Sequence, residues 1–186
     1  MSLLPVAEWL AATEWSIALH ESLYMYPLVE TVHVLSLILF VGTVAFVDLR
    51  LLGWVFSDVP VSEVTRRLIP WTIAGFVIAV ATGALLFYAI PVRTYLSIFF
   101  RIKMVVLFAA GVNAGIFHMH VREGSVSWDG DPIPPMRARI SGAVSLVSWA
   151  TVIVMGRMIA YNWFDCDNPP QSDFVNWAAG CLQVIQ

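Results

Sequence analysis

The stretch Tyr26–Gly53, "YPLVETVHVLSLILFVGTVAFVDLRLLG", decides the fold. It opens on Pro27 and stays apolar long enough to cross a bilayer, which takes about 20 helical residues. Yet it keeps Glu30 and His33 near its start and Asp48 and Arg50 near its end. Three residues apart, Glu30 and His33 share one helix face.

The rest of the chain has the same character. Of its 186 residues, 59% are hydrophobic and 12% charged, against roughly 45–50% and 25% in soluble domains. Further apolar runs cover about 68–90, 97–120 and 140–164, after a first span over about 27–56. Prolines punctuate their ends: Pro27, Pro60, Pro70, Pro91 and the "DPIPP" stretch. These features predict an all-α polytopic membrane protein, a four-transmembrane-helix bundle forming one membrane domain over 1–186. The net charge of −3 offers no basic patch for nucleic acid. No phosphate-binding glycine loop and no nucleophile–base pair appears, which argues against a hydrolase.

The opening "MSLLPVAEWLAATEWSIALHESLY" lacks the positive n-region of a signal peptide, so insertion is expected from the first span. Residues 1–24 read as an interfacial amphipathic helix, with Trp9 and Trp15 toward acyl chains and Glu14 and Glu21 toward water. Orientation follows from the basic residues. With the N-terminus outside, six (Arg50, Arg66, Arg67, Arg122, Arg137 and Arg139) fall on the cytoplasmic side, and three (Arg93, Arg101 and Lys103) fall outside. Both termini are then periplasmic, in a bacterial inner membrane. Cys166 and Cys181 lie in the tail over 165–186, where an oxidising compartment favours a disulfide that closes it into a cap. Two unrelated thiols are the alternative. Gly75, Ala79 and Gly83 on the second span, and Ser141, Ser145 and Ser148 on the fourth, are spaced for close helix approach.

Ionisable side chains inside spans are costly and mark candidate sites. They fall at two levels. The outer level holds Glu30, His33, Lys103 and Arg157, with Tyr161 one turn beyond Arg157; the inner holds Asp48, Arg50, His118 and His120, with Asn113 deeper. His33 sits about 9 Å along its helix from Pro27 at the usual rise. An imidazole there suits haem iron, with Glu30 to orient the ring and Lys103 and Arg157 to receive two propionates or an anionic headgroup. The alternative is a hydrogen-bonded histidine that ties helices together. His118 and His120 point in nearly opposite directions on one helix and cannot share an iron.

Histidine is absent from the second and fourth spans, so two haems each held by two histidines of facing helices cannot be assembled in one chain, and a single haem is the expectation. Its iron would be held by His33, with His20, Met104 or Met158 as sixth ligand, or none.

Two resemblances add to this. The run "TVHVLSLILFVGTVAFVDLRLLG" with "FFRIKMVVLF" and "TGALLF" resembles HemJ-type protoporphyrinogen oxidases and CopD-like membrane proteins. That resemblance implies that His33 is a haem ligand and Lys103 is essential. The N-terminal segment, the cysteine tail and Arg157 depart from that pattern. The whole chain also resembles an uncharacterised family of bacterial four-helix membrane proteins, through "YP…E…H", "DLRLLG", "TG.LLF", "F..K", Asn113 and "GR.IAY".

The expected function is therefore a b-type haem protein of the membrane, an oxidoreductase if an enzyme. It would pass electrons between a quinone or periplasmic donor and a partner protein. The alternatives are a copper-handling protein with His20 and His33 as metal ligands, an accessory subunit of a larger complex, and a HemJ-like oxidase. The bilayer is the expected partner, with a homo-oligomer possible.

Overall fold

The structure is a computed structural model. It describes residues 3–124, 127–161, 164, 166 and 171–181, with the side chains of 118 and 120–124 outside that description. Among the described residues all regular structure is helical: α1 (Leu4–Ala11), α2 (Glu14–Glu21), α3 (Met25–Leu51), α4 (Val61–Ala89), α5 (Pro91–Tyr95), α6 (Ile98–Gly124), α7 (Met136–Tyr161) and α8 (Asp173–Ala179). α3, α4, the 98–117 part of α6, and α7 are long and apolar enough to cross a membrane. The protein is an all-α polytopic membrane protein, as its hydropathy predicts.

The element boundaries depart from the sequence pattern in three instructive places. Residues 1–24 hold two helices rather than one. Thr13 ends α1 by donating to the Leu10 carbonyl at 2.7 Å and starts α2 by accepting from the Ser16 N–H at 3.4 Å. α4 begins at Val61, seven residues before its apolar run, because Asp129 caps it. One Asp129 carboxylate oxygen accepts the Ser62 N–H at 2.8 Å and the other accepts the Ser62 hydroxyl at 2.5 Å. Glu63, paired with Arg66 and Arg67 at 2.6 Å each, continues that polar first turn. Pro70 consequently lies inside α4 and does not end it.

Backbone packing divides the chain into two compact units. The terminal unit comprises Met1–His33, Val80–Val105 and Val152–Gln186; the loop unit comprises Val34–Ala79 and Val106–Thr151.

In the loop unit, glycines set the helix spacing. A Cβ at Gly75 would stand 2.8 Å from the Phe40 nitrogen, so α3 and α4 meet backbone to backbone there. Phe40 packs edge-on against Trp149, with ring centroids 4.7 Å apart. A Cβ at Gly142 would lie 3.0 Å from the Asp48 carbonyl oxygen, which brings α7 equally close to α3. Hydroxyl and amide pairs join the helices: Thr72 donates to Thr43 at 2.8 Å, and Asn113 and Ser141 exchange bonds of 3.1 and 3.2 Å. Leu51, Val61 and Ala138 form the buried apolar cluster.

α3 stops at a Schellman turn. The Gly53 N–H donates to the Arg50 carbonyl and the Trp54 N–H to the Leu49 carbonyl, both at 3.0 Å. Gly53 has φ +76°, a left-handed conformation that only glycine adopts without strain.

In the terminal unit, α2 is fastened to the end of α4. Buried Ser16 donates to the Tyr88 carbonyl at 2.7 Å, and the Thr13 and Tyr88 hydroxyls are 2.6 Å apart. Phe87 of α4 stacks on Phe100 of α6 at 5.5 Å. Cys166 and Cys181 form a disulfide across 15 residues.

Candidate functional site

The terminal unit contains Glu30 and His33 of α3, Lys103 of α6, and Arg157 and Tyr161 of α7. His33 faces α4. Its Nδ1 lies 2.9 Å from the Thr82 hydroxyl oxygen, and its Cε1 would come 3.2 Å from a Cβ placed at Gly83. The Cε1–Nδ1 edge of the ring thus approaches α4 at Gly83, where a side chain would crowd it, and Thr82 engages Nδ1. The orienting group at Nδ1 is Thr82 and not Glu30, which is exposed.

Lys103 projects from α6 toward α7. Its Nζ would stand 3.7 Å from a Cβ at Gly156, an ordinary contact distance, so the ammonium lies beside the α7 backbone there. Arg157, the next residue on α7, donates to the Tyr161 hydroxyl at 3.2 Å and sits 4.9 Å over that ring. Among the described residues, Glu63 is the carboxylate that pairs with arginine, and neither Lys103 nor Arg157 meets an acid. His20 lies on α2, exposed, with its ring edge-on to Tyr26 at 6.1 Å.

Were a haem bound, His33 would be its iron ligand and Lys103 and Arg157 the cations for its propionates. A ring that ligates iron through Nε2 keeps its proton on Nδ1, and Thr82 Oγ1 stands where that proton is donated. Two cations without acid partners match two propionates. Among the described residues, no cluster of three or more His, Cys, Asp or Glu side chains gathers to hold a metal ion.

The loop unit holds the second polar level and uses it differently. Arg50 is fully buried, at 0% exposure. Its Nε donates to the Val59 carbonyl at 2.7 Å and its Nη2 to the Asp131 carbonyl at 2.9 Å. One guanidinium thereby joins the α3–α4 connection to the α6–α7 connection. Buried Asp48 accepts from Ser145 of α7. Asp48 Oδ2, Arg50 Nη1 and Arg139 Nε are buried without a hydrogen-bond partner among the described residues. The side chains of His118 and His120 lie outside the described residues.

Sequence reasoning missed Thr82, and it read Ser145 as one of a stripe of small residues and not as the donor to Asp48. A threonine or serine in an apolar helix is common, and nothing local signals either bond. Gly83 was visible as part of a small-residue stripe, and that stripe was the available sign of where the imidazole rests.

The fold and these placements define an α-helical integral membrane protein with ionisable groups set within its spans. Residues 21–162 match the family model described as "Family of unknown function (DUF6644)", and the chain belongs to that family. The match takes in α3 to α7 and leaves α1, most of α2 and α8 outside it. No curated protein and no solved structure matches the chain.

Proposed function

We propose that the terminal unit binds a b-type haem and that the protein transfers electrons within the membrane, between a quinone or a periplasmic donor and a partner. The supporting observation is the pairing of His33 Nδ1 with Thr82 in the same unit as Lys103 and Arg157, cations with no acid partner among the described residues. His33 ligates through Nε2, and Thr82 holds the ring by accepting from Nδ1. Lys103 and Arg157 neutralise the propionates, and Tyr161 steadies the Arg157 guanidinium. The haem, when bound, supplies reversible one-electron chemistry.

Absorption spectroscopy of detergent-purified protein from haem-replete cells tests this reading. A Soret band and a dithionite-reduced α band are expected, both lost in His33→Ala. Colourless wild-type protein overturns it.

A bacterial inner-membrane location with both termini in the periplasm belongs to the same proposal. The six-to-three distribution of basic residues supports it, as does a disulfide in the tail. A second reading, a HemJ-like porphyrinogen oxidase, is favoured by the matching His33 and Lys103. It is tested by complementing a strain that lacks that step.

A further inference from the structure

Helix α8 has one sealed face and one bare face. On the sealed side Ala179 is completely buried and Cys181 nearly so, with Cys181 bonded to Cys166. Arg101 of α6 donates from Nη1 to the Ala178 carbonyl at 2.7 Å, satisfying a carbonyl that the helix end would leave open. Gly180 follows with φ +80°, and a Cβ there would fall 2.9 Å from Arg101 Nη2. Guanidinium and turn therefore fit together because position 180 has no side chain. At the other end the Ser172 side chain accepts the Val175 N–H at 3.4 Å. A covalent bond and a charged bond fix this helix, so its outward face has a set direction.

That face carries Phe174 at 66% and Trp177 at 71% exposure. They are three residues apart on one side of the helix, with ring centroids 6.2 Å apart. We propose that this aromatic pair is an interfacial anchor, seated in the phospholipid headgroup layer of the bilayer that the long helices cross.

Area decides between lipid and protein as the occupant. Two aromatic side chains bury roughly 300–500 Å² between them at about 150–250 Å² each, whereas a stable protein interface takes roughly 1,200–2,000 Å². A bilayer sets no such threshold, and it already bathes the apolar helices of this chain. Tryptophan suits the headgroup layer, since its ring body is apolar and its N–H still finds water or ester oxygens. The same unit exposes Trp9 on α1 and Trp15 on α2, residues of the same type. The anchor is independent of haem binding, and lies outside the family match of residues 21–162.

The test uses the full chain in phosphatidylcholine vesicles whose acyl chains are brominated either near the headgroup or near the methyl end. Subtracting the fluorescence of Trp177→Phe from that of wild type isolates Trp177, and non-reducing mass analysis confirms that the variant keeps its disulfide. The isolated signal is expected to be quenched several-fold more by shallow than by deep bromines, and to resist acrylamide. Moving the fluorophore with Phe174→Trp in the Trp177→Phe background should reproduce the pattern. A signal open to acrylamide and indifferent to bromines would place the face in water. One closed to both quenchers would place protein over it. Either result overturns the proposal.

Discussion

The loop unit and the terminal unit both carry charged side chains on membrane-length helices, and they employ them in opposite ways. In the loop unit many polar groups are engaged by the chain itself, Arg50 by two carbonyls, Asn113 by Ser141, Thr72 by Thr43, and Asp129 by the start of α4, while Asp48 Oδ2, Arg50 Nη1 and Arg139 Nε stay buried with no hydrogen-bond partner among the described residues. In the terminal unit Lys103 rests beside a glycine and Arg157 on a tyrosine, with no acid for either among the described residues. A charge inside a span is thus no sign of a site by itself. What separates the two sets is the kind of partner: Arg50 binds carbonyls of two connections, whereas Arg157 meets a tyrosine.

The most severe way to break this contrast is Arg50→Ala. It removes two charge-assisted bonds and leaves two loop carbonyls without their donor, so a loss of roughly 3–5 kcal/mol is expected. Thermal unfolding in detergent measures it, and a loss below about 1 kcal/mol would show the loops to be held by other contacts. Removing the terminal unit's covalent tie with Cys166→Ser and Cys181→Ser should cost about 3 kcal/mol in the chain-entropy model, with the Soret band kept if the haem seat is independent of the cap.

Glycine substitutions sharpen the comparison at a smaller scale. Gly75→Ala drives a methyl into the backbone of Phe40 and should destabilise by about 1–3 kcal/mol. Gly111→Ala, where nothing lies within 4 Å of the added Cβ, should change stability by less than about 0.5 kcal/mol. Equal effects would contradict the helix spacing described here. A similarly small effect is expected of Ser141→Ala, which removes one hydroxyl donor from Asn113 and should cost about 0.6 kcal/mol, as interhelical hydrogen bonds in membranes do on average.

How much of this was legible in the sequence depended on whether the signal was periodic or contextual. The four long helices were visible because a run of some 20 apolar residues has few other uses. The early start of α4 was not, because "VSEVTRR" is polar and helical only once Asp129, 67 residues away, caps it. The break at Thr13 was similarly hidden, although a threonine followed by glutamate is a fair helix-start signal. Of the candidate site, His33 and Lys103 stood out as ionisable residues in apolar surroundings. Thr82, which fixes the imidazole, did not, since its role comes from a neighbouring helix and from the bare backbone of Gly83.

Arg50 also orders the chain's assembly in time. Its second acceptor, Asp131, lies 81 residues further along, so at about 5–20 residues per second of translation the ribosome needs roughly 4–16 s to supply it. Until then the Arg50 guanidinium has only its nearer acceptor, the Val59 carbonyl, so the tie between the two connections closes late in synthesis.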